Sequence, residues 1–364
     1  MESTEMQNKI ILTKPIEVQS LEHRISNLAG EIKWSWACRI LEDADYNIDA
    51  LVIKPKPGDL VVVKVESNGY HNSIMTVNNK KLRIYVGDLL VGVFGNRYAA
   101  DAFEGEVNGL EDLSILTAGG MIGTLKSRHQ EIKKPTNVSF LGFLTDERHQ
   151  KINLKELKFH ISQPKGKIKN LILAVGTGMN SGKTTSSSKL IRGLSTSGFK
   201  VAACKLTGSV SNRDQDEMRS ASAKSVIDFS DYGFPSTYLC TRKELIDLFG
   251  TMLSDAENSD PDVIVMEIAD GLLQRETAML LADPLIKNNV KGVLLAAESA
   301  TSALYGIDKL KNLGYSIIAV SGAITSSPLY VREFKENSPV PVIPSTGEAE
   351  ELVETVKDFI KSKG

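Results

Sequence analysis

The chain is poor in the residues that equip several classes of protein. It has three cysteines, Cys38, Cys204 and Cys240, with no CxxC spacing among them. Isolated thiols argue against a disulfide framework and against a zinc site, and fit reduced side chains buried in a cytoplasmic protein. Histidine is equally sparse: His23, His71, His129, His149 and His160 all fall in the first half. A Ser-His-Asp arrangement built within the second half alone is therefore excluded. Proton transfer there falls to lysine, carboxylate, hydroxyl, water or ligand. No apolar run approaches the length of a membrane span. The opening MESTEMQNKI lacks the charged-then-apolar pattern of a signal peptide, so a cytoplasmic location is expected. A formal net charge of -2 gives no global attraction to nucleic acid or anionic membrane, and neither is an expected partner.

What is present divides into two rhythms. A length of 364 residues exceeds one typical domain, and two is the natural expectation. Across 50–145, short β-branched runs alternate with turn signals. Leu60-Val61-Val62-Val63-Lys64-Val65 follows Pro57-Gly58-Asp59, the run 73–77 meets Asn78-Asn79, and the run 89–94 stops at Gly95-Asn96. This spacing predicts a small barrel or sandwich. A strand at 9–12 and a helix near 20–41 are expected ahead of it. Trp34 and Trp36, the only tryptophans, would lie in that helix and serve packing rather than ligand stacking.

The polar stretch 146–170 reads as a connection. Beyond it, strands are expected at 170–175, 201–206, 263–268, 292–297, 316–320 and 340–343. Helical segments fall at 184–196, 276–287, 302–313 and 348–360. Most of the strand runs are continuously apolar, as parallel strands covered on both faces require. The expected division is a β-rich part over 1–150, a connection over 151–169 and an α/β part over 170–364. The fold class is α/β: a doubly wound, mostly parallel sheet of the P-loop type, preceded by a smaller β-rich barrel or sandwich domain. Ligands of such sheets bind at the carboxyl ends of the strands.

The first strand end is the most informative. Leu171-Ile172-Leu173-Ala174-Val175 runs into Gly176-Thr177-Gly178-Met179-Asn180-Ser181-Gly182-Lys183-Thr184-Thr185. A glycine-rich turn that opens a helix aims backbone N–H groups and a helix N-terminus at one spot, which suits phosphate. Lys183 would reach the β/γ-phosphates and the Thr184 hydroxyl would be a magnesium ligand. The spacing departs from GxxxxGK(S/T), which requires glycine where this chain has Thr177. At the second strand end, Lys205 closes an apolar run before Thr207-Gly208. There its ammonium would bind substrate or stabilise transition-state charge; an ordinary solvated lysine is the alternative. At the third, Glu267 ends the run 263–266 ahead of Asp270-Gly271. A buried Glu267 needs compensation, which magnesium shared with Thr184 would supply; a helix cap is the alternative.

These three pieces in this order resemble the dethiobiotin synthetase group of P-loop proteins. That group includes the cobyrinate amidation enzymes and sits near the molybdopterin-guanine dinucleotide accessory proteins. Residues 176–184 are similar to its GTDTDVGKT loop, offset glycines included. Lys205, Thr207 and Gly208 fall where that family has a lysine-led turn that helps bind the carboxylated substrate. The run 267–271 falls where it has EGAGG, whose glutamate ligates magnesium. The resemblance implies a further aspartate near the metal, with Asp214 preferred over Asp216. It also implies that 316–320 and Ser321-Gly322-Ala323 border the nucleotide base. It covers about 170–350 and not the front domain. Two acidic loop positions of the family are Gly178 and Asn180 here, and Asp270 adds a carboxylate near the phosphates. A looser likeness is to P-loop proteins that include a D-glutamate N-acetyltransferase, where a Thr-Gly after the second strand recurs.

Two further segments carry alternatives. The run 228–238 is rich in hydroxyls and aromatics and reads as a substrate wall or a packed loop. Arg97 and Asp101, in one turn, read as ligand contacts or as a local salt bridge. The expected activity is that of an enzyme, a ligase or kinase using ATP or GTP with Mg2+ to activate a carboxylate or phosphorylate a small molecule. The alternatives are an acyltransferase whose loop takes the phosphates of coenzyme A, and a non-catalytic nucleotide switch. Related P-loop proteins place their sites at dimer interfaces, which implies a homodimer.

Overall fold

Alternation in the front strands builds a closed ring. The computed structural model describes residues 32–41, 46–164 and 170–362. The strand expected at 9–12 lies outside them, as do residues 20–31 of the expected early helix. Strands β1 (Lys33–Trp34), β2 (Asn47–Asp49), β3 (Leu60–Ser67), β4 (Ser73–Met75), β5 (Lys81–Arg83) and β6 (Leu89–Phe94) come first. β7 (Phe103–Glu106), β8 (Leu113–Ile115), β9 (Met121–Arg128) and β10 (Thr136–Thr145) complete this part. β3 pairs antiparallel with β6 and β10, β10 pairs with β8, β8 with β9, and β9 returns in parallel to β6. The pairing closes a small barrel of β3, β6, β9, β8 and β10, with β1, β2 and β7 attached at its margins.

Successive residues of β3 face opposite sides. Val61, Val63 and Val65 fill one core with Phe94 and Phe143, while Leu60 and Val62 join another with Trp36, Leu154 and Val210. Trp34 lies in β1, and Trp36 opens a short 3-10 helix, Trp36–Ile40, in place of the expected long helix. The pairing of Lys33 and Trp34 with Leu90 and Val91 of β6 accounts for the difference.

In the connection, the helix Leu154–Lys158 forms because Asn153 accepts hydrogen bonds from the backbone N–H groups of Lys155 and Glu156. Then come β11 (Asn170–Gly176), β12 (Val201–Lys205), β13 (Ser225–Asp228), β14 (Val263–Glu267), β15 (Val290–Ala296) and β16 (Ile317–Ser321). These six are all parallel, in the order β13-β12-β14-β11-β15-β16. Both faces are covered. Leu171, Leu173 and Val175 of β11 enter the core beneath the helices Arg242–Glu257 and Ala300–Asn312. Ile172 enters the core under Lys183–Thr196 and Glu350–Ser362. The sheet is a doubly wound, parallel α/β fold.

Two expected elements differ. The stretch 340–343 makes one bridge, Val342 with Val320, and no strand; Pro341 and Pro344 lack the N–H groups a ladder needs. The helix expected over 276–287 is two, Arg275–Leu281 and Pro284–Asn289, because Asp283 caps a new helix with Pro284 in its first turn. Among the described residues no helix is long and apolar enough to cross a membrane.

Candidate phosphate site

β11 and β14 are neighbours, and their carboxyl ends set the site. Gly176 ends β11 because a side chain there would strike Ser181 Oγ at 2.1 Å and Lys183 Cγ at 2.7 Å. The turn closes at Gly182, whose φ of 88° is a left-handed conformation suited to glycine. From there the 14-residue helix Lys183–Thr196 starts, its N-terminus facing the turn. The turn is braced from below: Ala323 N–H donates to Ser181 O at 2.9 Å. The side-chain oxygens of Thr177 and Ser181 are buried and have no hydrogen-bond partner among the described residues. Lys183 folds back over it, Nζ lying 2.7 Å from Gly178 O and 3.2 Å from Met179 O.

Glu267 is fully buried and satisfied from three sides. Thr184 Oγ1 donates to Oε1 at 3.0 Å, Ser187 Oγ to Oε2 at 2.9 Å, and Lys205 Nζ to Oε1 at 2.5 Å. Lys205 also meets Asp214 Oδ2 at 2.9 Å, so its ammonium bridges two carboxylates rather than ending in solvent. Asp216 points elsewhere, accepting from Asn212 and Asn79 of the β4–β5 turn.

The charges follow from burial. Burial pushes the Lys183 ammonium down, to about 8, with Glu267 opposing and Lys205 adding to the effect. Burial also acts to lower Lys205, but Asp214 and Glu267 outweigh it and hold its pKa well above that of ordinary lysine. Lys205 in turn holds the Asp214 carboxyl below its usual range. Asp270, with φ 59°, is pushed up to about 6 by burial, against the pull of Lys183 and Lys205.

One cavity of about 580 Å³ gathers these groups. Its walls include Met179, Asn180, Gly182, Lys183, Thr184 and Thr185 from the turn, with Lys205, Gly208, Asp214, Glu267 and Asp270. The expected substrate residue Thr207 is not on the wall; its Oγ1 accepts from Ala269 N–H at 2.8 Å. The 228–238 run is packed rather than lining, with Phe229, Tyr232 and Phe234 in the core. The barrel supplies the opposite wall through His71, Arg97, Tyr98 and Asp101. Asn180 Nδ2 donates to Asp101 Oδ2 at 3.1 Å, tying the turn to the barrel.

Sequence reasoning misses Ser187 and Glu298. Ser187 stands one helical turn after Thr184, a spacing that puts both hydroxyls on one face. Glu298 follows β15 and comes so close to Gly178 that a side chain there would lie 2.4 Å from Oε1. It returns acidity that the turn itself lacks.

For a metal, the donor set is a hydroxyl and two carboxylates, all hard oxygen ligands of the kind magnesium takes. Among the described residues no group of three His, Cys, Asp or Glu side chains forms a metal cage. Magnesium draws on phosphate oxygens and water besides one or two carboxylates.

No family model matches the chain, and no curated protein does. Among solved structures it is similar to the signal recognition particle receptor FtsY from Elizabethkingia anophelis, at 18% identity over 58% of this chain and 76% of that one, TM-score 0.34. The hydrogenase maturation factor HypB from Archaeoglobus fulgidus matches at 15% identity over 53% of this chain and 91% of that one, TM-score 0.36. The kinase domain of the Escherichia coli tyrosine kinase ETK matches at 18% identity over 43% and 69%, TM-score 0.31. Likenesses this distant say nothing of this chain's chemistry.

Proposed function

We propose that the chain binds a nucleoside triphosphate with magnesium in the 176–185 turn and transfers its terminal phosphoryl group to a small acceptor, activating a carboxylate or phosphorylating the molecule. One observation carries the reading: the turn, the lysine folded over it and the Thr184–Glu267 pair meet at adjacent parallel strand ends facing a single cavity.

Phosphoryl transfer needs mostly positioning and charge stabilisation. The turn's N–H groups and the helix N-terminus receive the phosphates. Lys183 leaves the Gly178 and Met179 carbonyls for phosphate oxygens, which restores full charge to a cation that burial disfavours. Thr184, Glu267 and Asp214 hold the magnesium, whose contribution when bound is to neutralise phosphate charge. Lys205 stands beside them as the second cation, facing charge that develops on the transferred group. Gly208 and Asp270 border the acceptor. A groove of about 1320 Å³ shares Thr185 and Asn212 with the cavity and continues past Lys189 and Thr346, giving room for the remainder of a nucleotide. The dethiobiotin synthetase resemblance of the three strand ends supports the reading, and with it a homodimer remains part of the proposal.

The test is calorimetry with ATP–Mg and GTP–Mg, followed by turnover in the presence of small carboxylates. Saturable, magnesium-dependent binding supports the reading. Binding of acetyl-CoA without magnesium and of neither nucleotide would replace it with the acyltransferase alternative. Nucleotide binding that no small molecule converts to faster turnover would leave a switch.

A further inference from the structure

The barrel wall holds a cation, Arg97, that is in no ion pair among the described residues. Arg97 Nε is fully buried and has no hydrogen-bond partner. Among the described residues the guanidinium makes one side-chain hydrogen bond, from Nη1 to His71 Nε2 at 3.2 Å. That nitrogen also lies 3.0 Å from Leu116 O. It must carry a proton to serve Leu116 and a lone pair to serve Arg97, so it cannot do both. Asp101, four residues on, is hydrogen-bonded to Asn180 instead of closing a turn salt bridge. Among the described residues no carboxylate is paired with Arg97, although Asp101 and Asp270 lie near enough to act on its charge.

The guanidinium is nevertheless held firmly. Its backbone exchanges hydrogen bonds with Gly105 at 2.8 and 3.0 Å, and its plane lies over the Phe103 ring at 5.6 Å. His71 meets the same ring edge-on, and its backbone carbonyl accepts from Thr136 Oγ1 at 2.6 Å. A buried charge without a partner is costly. A fixed planar fork facing a cavity is the form of cation that carboxylates pair with bidentately.

We propose that Arg97 anchors a carboxylate of the acceptor, so that the acceptor is a small carboxylate-bearing molecule gripped by the barrel while its reacting end faces Lys205 and the phosphate turn. This rests on nucleotide binding at that turn. Lys183 and Lys205 line the cavity from the parallel sheet, and Arg97 lines it from the barrel.

The experiment uses full-length protein labelled with 15N-arginine and saturated with ADP–Mg, with calorimetry reporting nucleotide affinity separately. The Arg97 Nε–H resonance, assigned by its loss in Arg97→Gln, is followed while sodium acetate, succinate or inorganic phosphate is added at constant ionic strength. The expected result is a saturable shift with a carboxylate. In Arg97→Gln and Arg97→Lys, carboxylate binding followed by thermal shift should weaken about tenfold or more, while ADP affinity changes less than about twofold. Absence of a saturable shift with acetate and succinate overturns the proposal, and needs no folded variant. Saturation by phosphate alone, with ATP but not ADP weakened in the variants, gives Arg97 to the nucleotide and overturns it too. Failure of nucleotide to bind at all sinks the underlying reading instead.

Discussion

Lys205 and Glu267, 62 residues apart in the chain, are register partners at the ends of β12 and β14, and Nζ meets Oε1 at 2.5 Å. The same ammonium reaches Asp214. Lysine here is the internal counterion of two carboxylates, and it holds that of Asp214 below its usual range.

Replacing Lys205 by Met should therefore destabilise the fold by about 3–5 kcal/mol, the usual cost of leaving a buried charge without its partner. The Asp214 carboxyl is held below its ordinary value, so its contribution is present above about pH 4 and lost as pH falls through the lower folded value. Lys205 is raised, so its contribution persists until pH exceeds the ordinary lysine range. Urea unfolding at pH 7 and pH 3.5 checks the acid side: the penalty of the substitution should shrink at pH 3.5. An equal penalty at both would mean that Lys205 matters only for packing.

Asp270 has the opposite sign. Its pKa is raised to about 6, so it costs nothing below the ordinary carboxylate value and destabilises as pH rises through 6. Asp270→Asn should gain up to about 3 kcal/mol relative to wild type at pH 8, and much less at pH 4. Asparagine tolerates the left-handed backbone found there, so the change isolates the charge. Thermal melts across that range would show the two proteins converging toward acid.

At Gly182, a methyl group would lie 3.0 Å from Gly322 Cα and 3.1 Å from Ala323 N, with φ already at 88°. Gly182→Ala should cost about 1–2 kcal/mol and tilt the start of the helix. Nucleotide affinity should fall further than stability, since the phosphate N–H groups hang on this residue. Calorimetry against a denaturation curve separates the two.

The site was legible where its signals are local. The apolar run 171–175, the glycines and Lys183-Thr184 announce a strand, a turn and a helix within 15 residues. Strand ends at Lys205 and Glu267 were legible as places, because continuous apolar runs stop there. Their pairing was not, since it depends on β14 lying between β11 and β12. The edge strand Ser225–Asp228 is half-buried and carries no continuous apolar run, so it leaves little trace. The helix Arg242–Glu257 does leave one, the capping box of Thr241 and Glu244. Arg97 shows the limit: its residue type and turn are visible, but its lack of a partner exists only once the barrel meets the sheet.

Lys183 tests the central claim most directly. Its burial is unfavourable to its charge, so Lys183→Ala should leave the melting temperature close to that of wild type. Titration of wild type and Lys183→Ala with ATP–Mg, GTP–Mg and acetyl-CoA by calorimetry is the decisive measurement. Magnesium-dependent nucleotide binding in the wild type, lost in the folded variant, is the predicted result; undiminished nucleotide affinity in Lys183→Ala would contradict it.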